Sequence, residues 1–183
     1  MGKRLLAFLN RACSLIKERC TKSSSVVDTR RGIELQTREG WDIPNSQSAE
    51  FSMEDERHDA NLRRKYNQTG ADFRTGIIPI YNCHGLTFGS RRTQIGEGNV
   101  IRKILLDDKY VRVKHQEVLP GDVVIYVGDD GDIEHSAVVL ERPDQQLRIP
   151  RVLSKWGKGA EVSHWANQCP YSFQRPEYYR IIK

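Results

Sequence analysis

Cys83 and His135 are the residues whose types and surroundings could carry out nucleophilic chemistry. Cys83 lies in YNCHGL, residues 81–86, directly after Asn82, a residue type that caps helices. Unpaired backbone N–H groups and the helix dipole stabilise a thiolate in a first helical turn. We therefore expect a lowered pKa for this thiol and a nucleophilic sulfur near neutral pH. His135, 52 residues further along, is the candidate base.

A hairpin is predicted to carry His135. The sequence PGDVVIYVGDDGDIEHSAVVLE predicts two strands, 123–127 and about 133–140, joined by an Asp-Gly turn at 130–131. His135 then lies near the start of the second strand. A third strand is predicted within RIPRVLSKWG, where alternation places Ser154 and Lys155 on opposite faces of the sheet.

Two motifs in this order resemble a known superfamily. YNCHGL is similar to the aromatic, Asp or Asn, Cys, Ser, Gly, Leu nucleophile motif of NlpC-type and CHAP-type papain-like cysteine hydrolases. In those families a Pro-Gly-Asp strand and a strand opening with the catalytic histidine follow some fifty residues later, and PGDVVIY and HSAVVL occupy those places here. The resemblance covers about residues 74–165. It implies an α+β fold with a papain-like core, in which a nucleophile-bearing helix packs on an antiparallel sheet.

The resemblance also implies a mechanism. Cys83 would attack an amide or ester carbonyl, His135 would hold the thiolate as an ion pair and protonate the leaving group, and backbone N–H groups would receive the oxyanion. A polar residue from the strand after the histidine strand would orient His135. Ser154 is our candidate, with His164 and Asn167 as alternatives. The expected substrate is a peptide or peptidoglycan-like amide, and the sequence calls for no cofactor and no metal.

Two departures from the motif keep other functions open. His84 stands where the families usually have Ser or Thr, and no Tyr-x-Trp-Gly-Gly precedes Cys83. The same fold could transfer acyl groups or deamidate glutamine through the same thioester. A catalytically silent papain-like binding module is a second alternative. The third is a binder of membrane or nucleic-acid surfaces, although no aromatic and basic interleaving predicts a specific nucleic acid.

The remaining sequence predicts an N-terminal extension of two parts. Residues 1–20 are predicted to form a basic amphipathic helix that docks on the domain or on a protein partner, or alternatively lies on an anionic membrane surface. Residues 21–72 are polar and are predicted to be a weakly ordered linker, with a short helix after Ser52. The hydrolase domain is predicted to occupy residues 73–183.

Charge, cysteine spacing and hydropathy limit the class of protein. The net charge of +5 comes from 29 basic and 24 acidic residues that are interleaved, which favours a mixed surface over a uniform basic face. The four cysteines, at 13, 20, 83 and 169, have no CxxC spacing, so neither a zinc site nor a disulfide framework is indicated. The short N-terminal apolar run does not fit a cleavable signal peptide. We therefore expect a cytoplasmic protein, or a toxin or effector exported without a cleaved signal.

Overall fold

The computed structural model describes residues 32–48, 50–143, 146–173 and 175–182. The helix predicted over residues 1–20 lies outside these ranges. In chain order the elements are β1 (Asn45–Ser46), α1 (Met53–Tyr66), β2 (Asp72–Phe73), α2 (Cys83–Phe88), β3 (Gln94–Ile95), α3 (Gly98–Asp107), β4 (Tyr110–Val113), a short 3-10 helix (His115–Glu117), β5 (Val123–Val127), β6 (Ile133–Glu141), β7 (Arg151–Lys155), β8 (Glu161–Trp165) and β9 (Pro176–Ile181). No helix within the described ranges is long and apolar enough to cross a membrane.

A seven-stranded sheet dominates the molecule. Its strand order is β2-β8-β7-β6-β5-β9-β4, every neighbouring pair is antiparallel, and β1 and β3 form a separate two-stranded ribbon. The predicted α+β class, with a large antiparallel sheet and few helices, is confirmed. The predicted hairpin is confirmed as β5 and β6, and its register pairs Tyr126 with His135.

The two faces of the sheet are covered by different parts of the chain. On one side, here called the helix face, α3 buries Ile101 and Ile104 against Val123 and Ile125 of β5. α2 packs on the same face, where it contacts Ser136. On the other side, here called the distal face, alternate strand residues pack with side chains from the connection between β8 and β9. Alternation along each strand therefore determines whether a side chain packs against the helices or against the connection between β8 and β9.

The described part of the predicted linker is packed against the domain. Helix α1 begins with a capping box formed by Ser52 and Asp55, in agreement with the predicted helix start. Leu62 and Tyr66, one turn apart on this helix, pack against Trp156, and the Tyr66 and Trp156 ring centroids lie 4.9 Å apart. Two apolar residues at this spacing give α1 a docking face even though the surrounding sequence is almost entirely polar.

Candidate active site

Cys83 is the first residue of α2, as the sequence predicted. The Asn82 side chain accepts a hydrogen bond from the Gly85 backbone N–H at 2.9 Å and so caps the helix. The backbone N–H groups of Cys83 itself, His84 and Ser136 act to lower the pKa of the thiol. Two of these groups come from the open first turn of the helix and the third comes from β6. Backbone donors from two elements therefore favour the thiolate form.

The Cys83 thiol is more buried than the sequence indicated. Cys83 is only 8% exposed. Burial raises the pKa of its thiol to about 11, although the three backbone N–H groups and the Lys155 ammonium act in the opposite direction. The expected lowering of this pKa is therefore not what the structure shows. The free-energy cost of removing water from the thiolate exceeds the stabilisation that the start of the helix provides.

His84, at the atypical position of the motif, has a defined tautomer. Thr87 Oγ1 donates to the Cys83 carbonyl at 3.0 Å, and Ser136 Oγ donates to Thr87 Oγ1 at 3.0 Å. Because the Ser136 proton is used in that bond, His84 Nδ1, 2.8 Å from Ser136 Oγ, must be the donor there. Burial lowers the pKa of His84 to about 4, so the ring is neutral with its lone pair on Nε2. This series of hydrogen bonds connects α2 to β6 directly beside Cys83.

His135 lies on β6 next to Ser136 but faces the distal side of the sheet. Its ring packs between Tyr126 and Tyr171, with centroid distances of 5.4 and 4.5 Å, and the residue is fully buried. Burial, followed by the nearby His84 and His164, holds its pKa well below the usual value. Neither ring nitrogen has a hydrogen-bond partner among the described residues. In this conformation the expected thiolate and imidazolium ion pair with Cys83 is not formed.

The predicted contact between Ser154 and His135 is not present in the structure. Ser154 pairs with Ala137 in the β6–β7 register, two residues along the strand from His135, and its diagonal neighbour on β8 is His164. Since His164 Nδ1 can only donate to the Trp165 carbonyl, 2.9 Å away, its Nε2 accepts a hydrogen bond from Ser154 Oγ at 2.8 Å. The alternative orienting residues therefore do not bond to His135 either. His164 is held by Ser154, and Asn167 lines a separate cavity.

Sequence reasoning missed a polar cluster on the helix face beside Cys83. Glu161 Oε1 accepts hydrogen bonds from Tyr81 Oη and from Arg91 Nε, both at 2.6 Å. Burial opposes ionisation of Glu161, but the bonds from Arg91 and Tyr81 outweigh it and keep its pKa below the usual value. Lys155 is fully buried next to this cluster. Alternation along the third predicted strand placed Lys155 and Ser154 on opposite faces of the sheet. Only the fold shows that the face with Lys155 is the one on which the helix carrying Cys83 packs.

Across the described ranges, no group of three or more His, Cys, Asp or Glu residues could hold a metal ion. An open cavity of about 720 Å³ is lined by residues of β4, of the short 3-10 helix and of the start of β9, and its lining includes neither Cys83 nor His135. Its lining includes Arg112, Lys114 and Arg175. The nucleophile therefore does not open into this cavity.

Comparison of the chain with protein-family models, with curated proteins and with solved structures found no match.

Proposed function

We propose that this protein is a cysteine hydrolase of papain-like type that cleaves an amide bond, as a peptidase or amidase. The observation that carries the proposal is the position of Cys83 as the first residue of α2, capped by Asn82, where the backbone N–H groups of the open first turn can act on the sulfur. A structural cysteine in an apolar core gains nothing from such donors. A nucleophilic sulfur gains a stabilised anion, and the same region can stabilise the oxyanion of an attacked carbonyl.

The reaction would proceed through a thioester. Cys83 Sγ attacks the carbonyl carbon, the C–N bond breaks, and the leaving amine takes up a proton. Water then hydrolyses the thioester and releases the acid and the free thiol. His135 is the proposed base on the motif resemblance, because it lies near the start of a strand that follows the nucleophile motif, and its side chain would have to turn away from the distal face to reach Cys83. The proposed substrate is a peptide or peptidoglycan-like amide.

Cys83 and His135 are both buried in the described conformation. The Cys83 thiol contributes to raising the pKa of Cys169 and of Tyr171, which come from the connection between β8 and β9. Tyr171 also covers His135, whose ring nitrogens have no partner. Buried polar atoms without partners cost about 1–3 kcal/mol each, so this packing opposes the closed state. Displacement of Tyr171 would free His135 for proton transfer.

Acylation by p-nitrophenyl acetate tests the proposal. Intact-mass spectrometry after an acid quench should show one acetyl group, and peptide mapping should place it on Cys83. Cys83→Ala should lose this adduct, whereas the matched variant Cys169→Ala should retain it. A panel of N-acetyl dipeptide 4-nitroanilides then tests hydrolysis of the amide bond.

The outcomes separate the candidate functions. Acetylation of Cys83 with release of 4-nitroaniline supports the hydrolase. Acetylation that is resolved only when an amine is added would indicate an acyltransferase. No Cys83 adduct, or the same adduct in Cys83→Ala, would refute the hydrolase and leave a catalytically silent binding module.

A further inference from the structure

The open cavity of about 720 Å³ has the size of sites that hold small organic molecules. Part of its wall is formed by Val113 of β4 and Tyr178 of β9, which pair with each other in the sheet. Ile149, from the connection between β6 and β7, and Pro176 add further apolar lining. The ring of His115 lies edge-on to the Tyr178 ring, with the centroids 5.4 Å apart. The cavity therefore presents an apolar and aromatic surface to a ligand.

The charged residues of this cavity leave an excess of positive charge. Arg112, Lys114 and Arg175 are cations, and Glu177 is the one acid among the described residues of the lining. Both oxygens of Glu177 are engaged, one by Arg112 at 2.7 Å and the other by the Tyr179 hydroxyl group at 2.8 Å. Within the described ranges, Lys114 and Arg175 form no ion pair. Three cations and one carboxylate, with histidine counted as neutral, give the lining a net charge of +2.

Tyr178 provides a second, independent indication of a ligand. The residue is only 4% exposed, and its hydroxyl group has no hydrogen-bond partner among the described residues. The large majority of buried side-chain polar atoms are hydrogen-bonded, because a desolvated donor without an acceptor is unfavourable. Since Tyr178 belongs to the lining of the cavity, an oxygen acceptor on a bound molecule can satisfy this hydroxyl group.

We propose that this cavity binds a small phosphate monoester that carries an apolar or aromatic group. The nearly two negative charges of such a phosphate at neutral pH match Lys114 and Arg175, the two cations of the lining without an ion pair in the described ranges. The organic group packs against the apolar lining around Val113. A monocarboxylate would leave one of the two cations unbalanced. The inference does not depend on the proposed hydrolase, because neither Cys83 nor His135 lines the cavity.

Phenyl phosphate is the probe for the first test, which uses the unaltered protein. Isothermal titration calorimetry should show saturable binding of one molecule, and amide shifts in 15N-labelled protein should change at Val113, Lys114 and Tyr178. Inorganic phosphate, which lacks the organic group, should bind about tenfold more weakly. Phenol, which lacks the charge, should show no saturable binding. No saturable binding of phenyl phosphate, or shift changes confined to residues outside the lining, would overturn the proposal.

The second test alters the residues that are proposed to bind the phosphate. Lys114→Gln and Arg175→Gln each remove one charge from an exposed side chain and should weaken binding of phenyl phosphate about tenfold. Tyr178→Phe keeps the ring, removes the hydroxyl group and should weaken binding about fivefold. The matched control Arg57→Gln changes an exposed cation of α1 outside the lining and should bind like the wild type. Equal affinities in the wild type and in all three lining variants would refute the site.

Larger anions distinguish this site from a general cationic surface. A single-stranded oligodeoxynucleotide and vesicles containing phosphatidylserine are titrated at the same ionic strength as phenyl phosphate. If either binds more tightly than phenyl phosphate and loses affinity in Arg175→Gln, the ligand is a polymer or a membrane surface and the proposal is overturned. Acetylation of Cys83 by p-nitrophenyl acetate should be unchanged in Arg175→Gln, so that failure of this site and failure of the hydrolase are recognised separately.

Discussion

Gly85, two residues after the nucleophile, is required by the packing of α2. A Cβ added at this position would lie 1.7 Å from the Thr93 carbonyl oxygen, which is far inside contact distance. Thr93 directly precedes β3, so the backbone at this point cannot move without disturbing the ribbon. The glycine of the motif therefore has a structural explanation, since it allows the helix carrying Cys83 to approach β3.

Gly85→Ala should lower the free energy of unfolding by about 3 kcal/mol or more, because the added methyl group collides with backbone. Urea denaturation followed by tryptophan fluorescence measures the loss. Gly76→Ala is the matched control, since nothing lies within 4 Å of its added Cβ, and it should stay within about 0.5 kcal/mol of the wild type. Equal stabilities of the two variants would show that α2 can shift away from Thr93.

At the scale of the element, we expect the connection between β8 and β9 to limit access to the thiol. Tyr171→Ala should speed alkylation of Cys83 by iodoacetamide at pH 7.5 about tenfold or more. The substitution removes the ring that covers His135, and the pKa of this tyrosine is raised in part by the Cys83 thiol. Entry of water should let the pKa of the thiol fall from about 11 towards its ordinary value. The rate is read by mass spectrometry.

Tyr171→Phe provides the control for this experiment. It keeps the aromatic cover and loses only the hydroxyl group, so Cys83 should react at the wild-type rate. If Tyr171→Ala also reacts at the wild-type rate, the tyrosine does not close the site, and the burial of Cys83 has another source.

Local signals made the elements around the site predictable. The amide side chain of Asn82 fixed the start of α2, and the Asp-Gly turn at 130–131 fixed the β5–β6 hairpin. Alternation correctly separated Ser154 from Lys155. Which of these faces meets Cys83 depends on how α2 docks, and no local pattern carries that information. The cover by Tyr171 is likewise a contact between distant segments, so the raised pKa of the thiol was beyond sequence reasoning.

At the scale of the whole molecule, three buried histidines make stability depend on pH. Burial lowers the pKa of His84 and of His164 to about 4 and that of His135 well below its usual value, whereas in the unfolded chain each titrates near 6.5. Between these values the unfolded state binds protons that the folded state does not. Stability is therefore fully present above about pH 6.5 and is lost as the pH falls towards 4.

The melting temperature should fall steadily from pH 7 to pH 4.5, with each histidine contributing about 1.4 kcal/mol per pH unit within its window. Differential scanning calorimetry at closely spaced pH values measures the slope. His164→Gln should reduce it by one histidine's share, and the exposed His58→Gln should leave it unchanged. A melting temperature that stays constant down to pH 5 would show that the three rings take up protons without unfolding.

The extent of the domain was harder to infer than its core. Residues 32–72 contain few apolar side chains, and composition alone predicts a linker. The fold nevertheless buries Ile43, Leu62 and Tyr66 from this stretch, and β2 completes one edge of the sheet. Such docking uses single residues at the correct spacing, which an average over composition does not reveal.

The position of β9 in the sheet has a consequence for the order in which the protein can form. β4 and β5 follow each other along the chain, yet β9 lies between them in the sheet and is made more than sixty residues after β4. During synthesis β4 has no neighbour to pair with, and one edge of β5 exposes its N–H and C=O groups until Pro176–Ile181 has left the ribosome. Completion of the sheet is therefore a late event in biosynthesis, and throughout that interval the open edge of β5 can pair with other nascent chains.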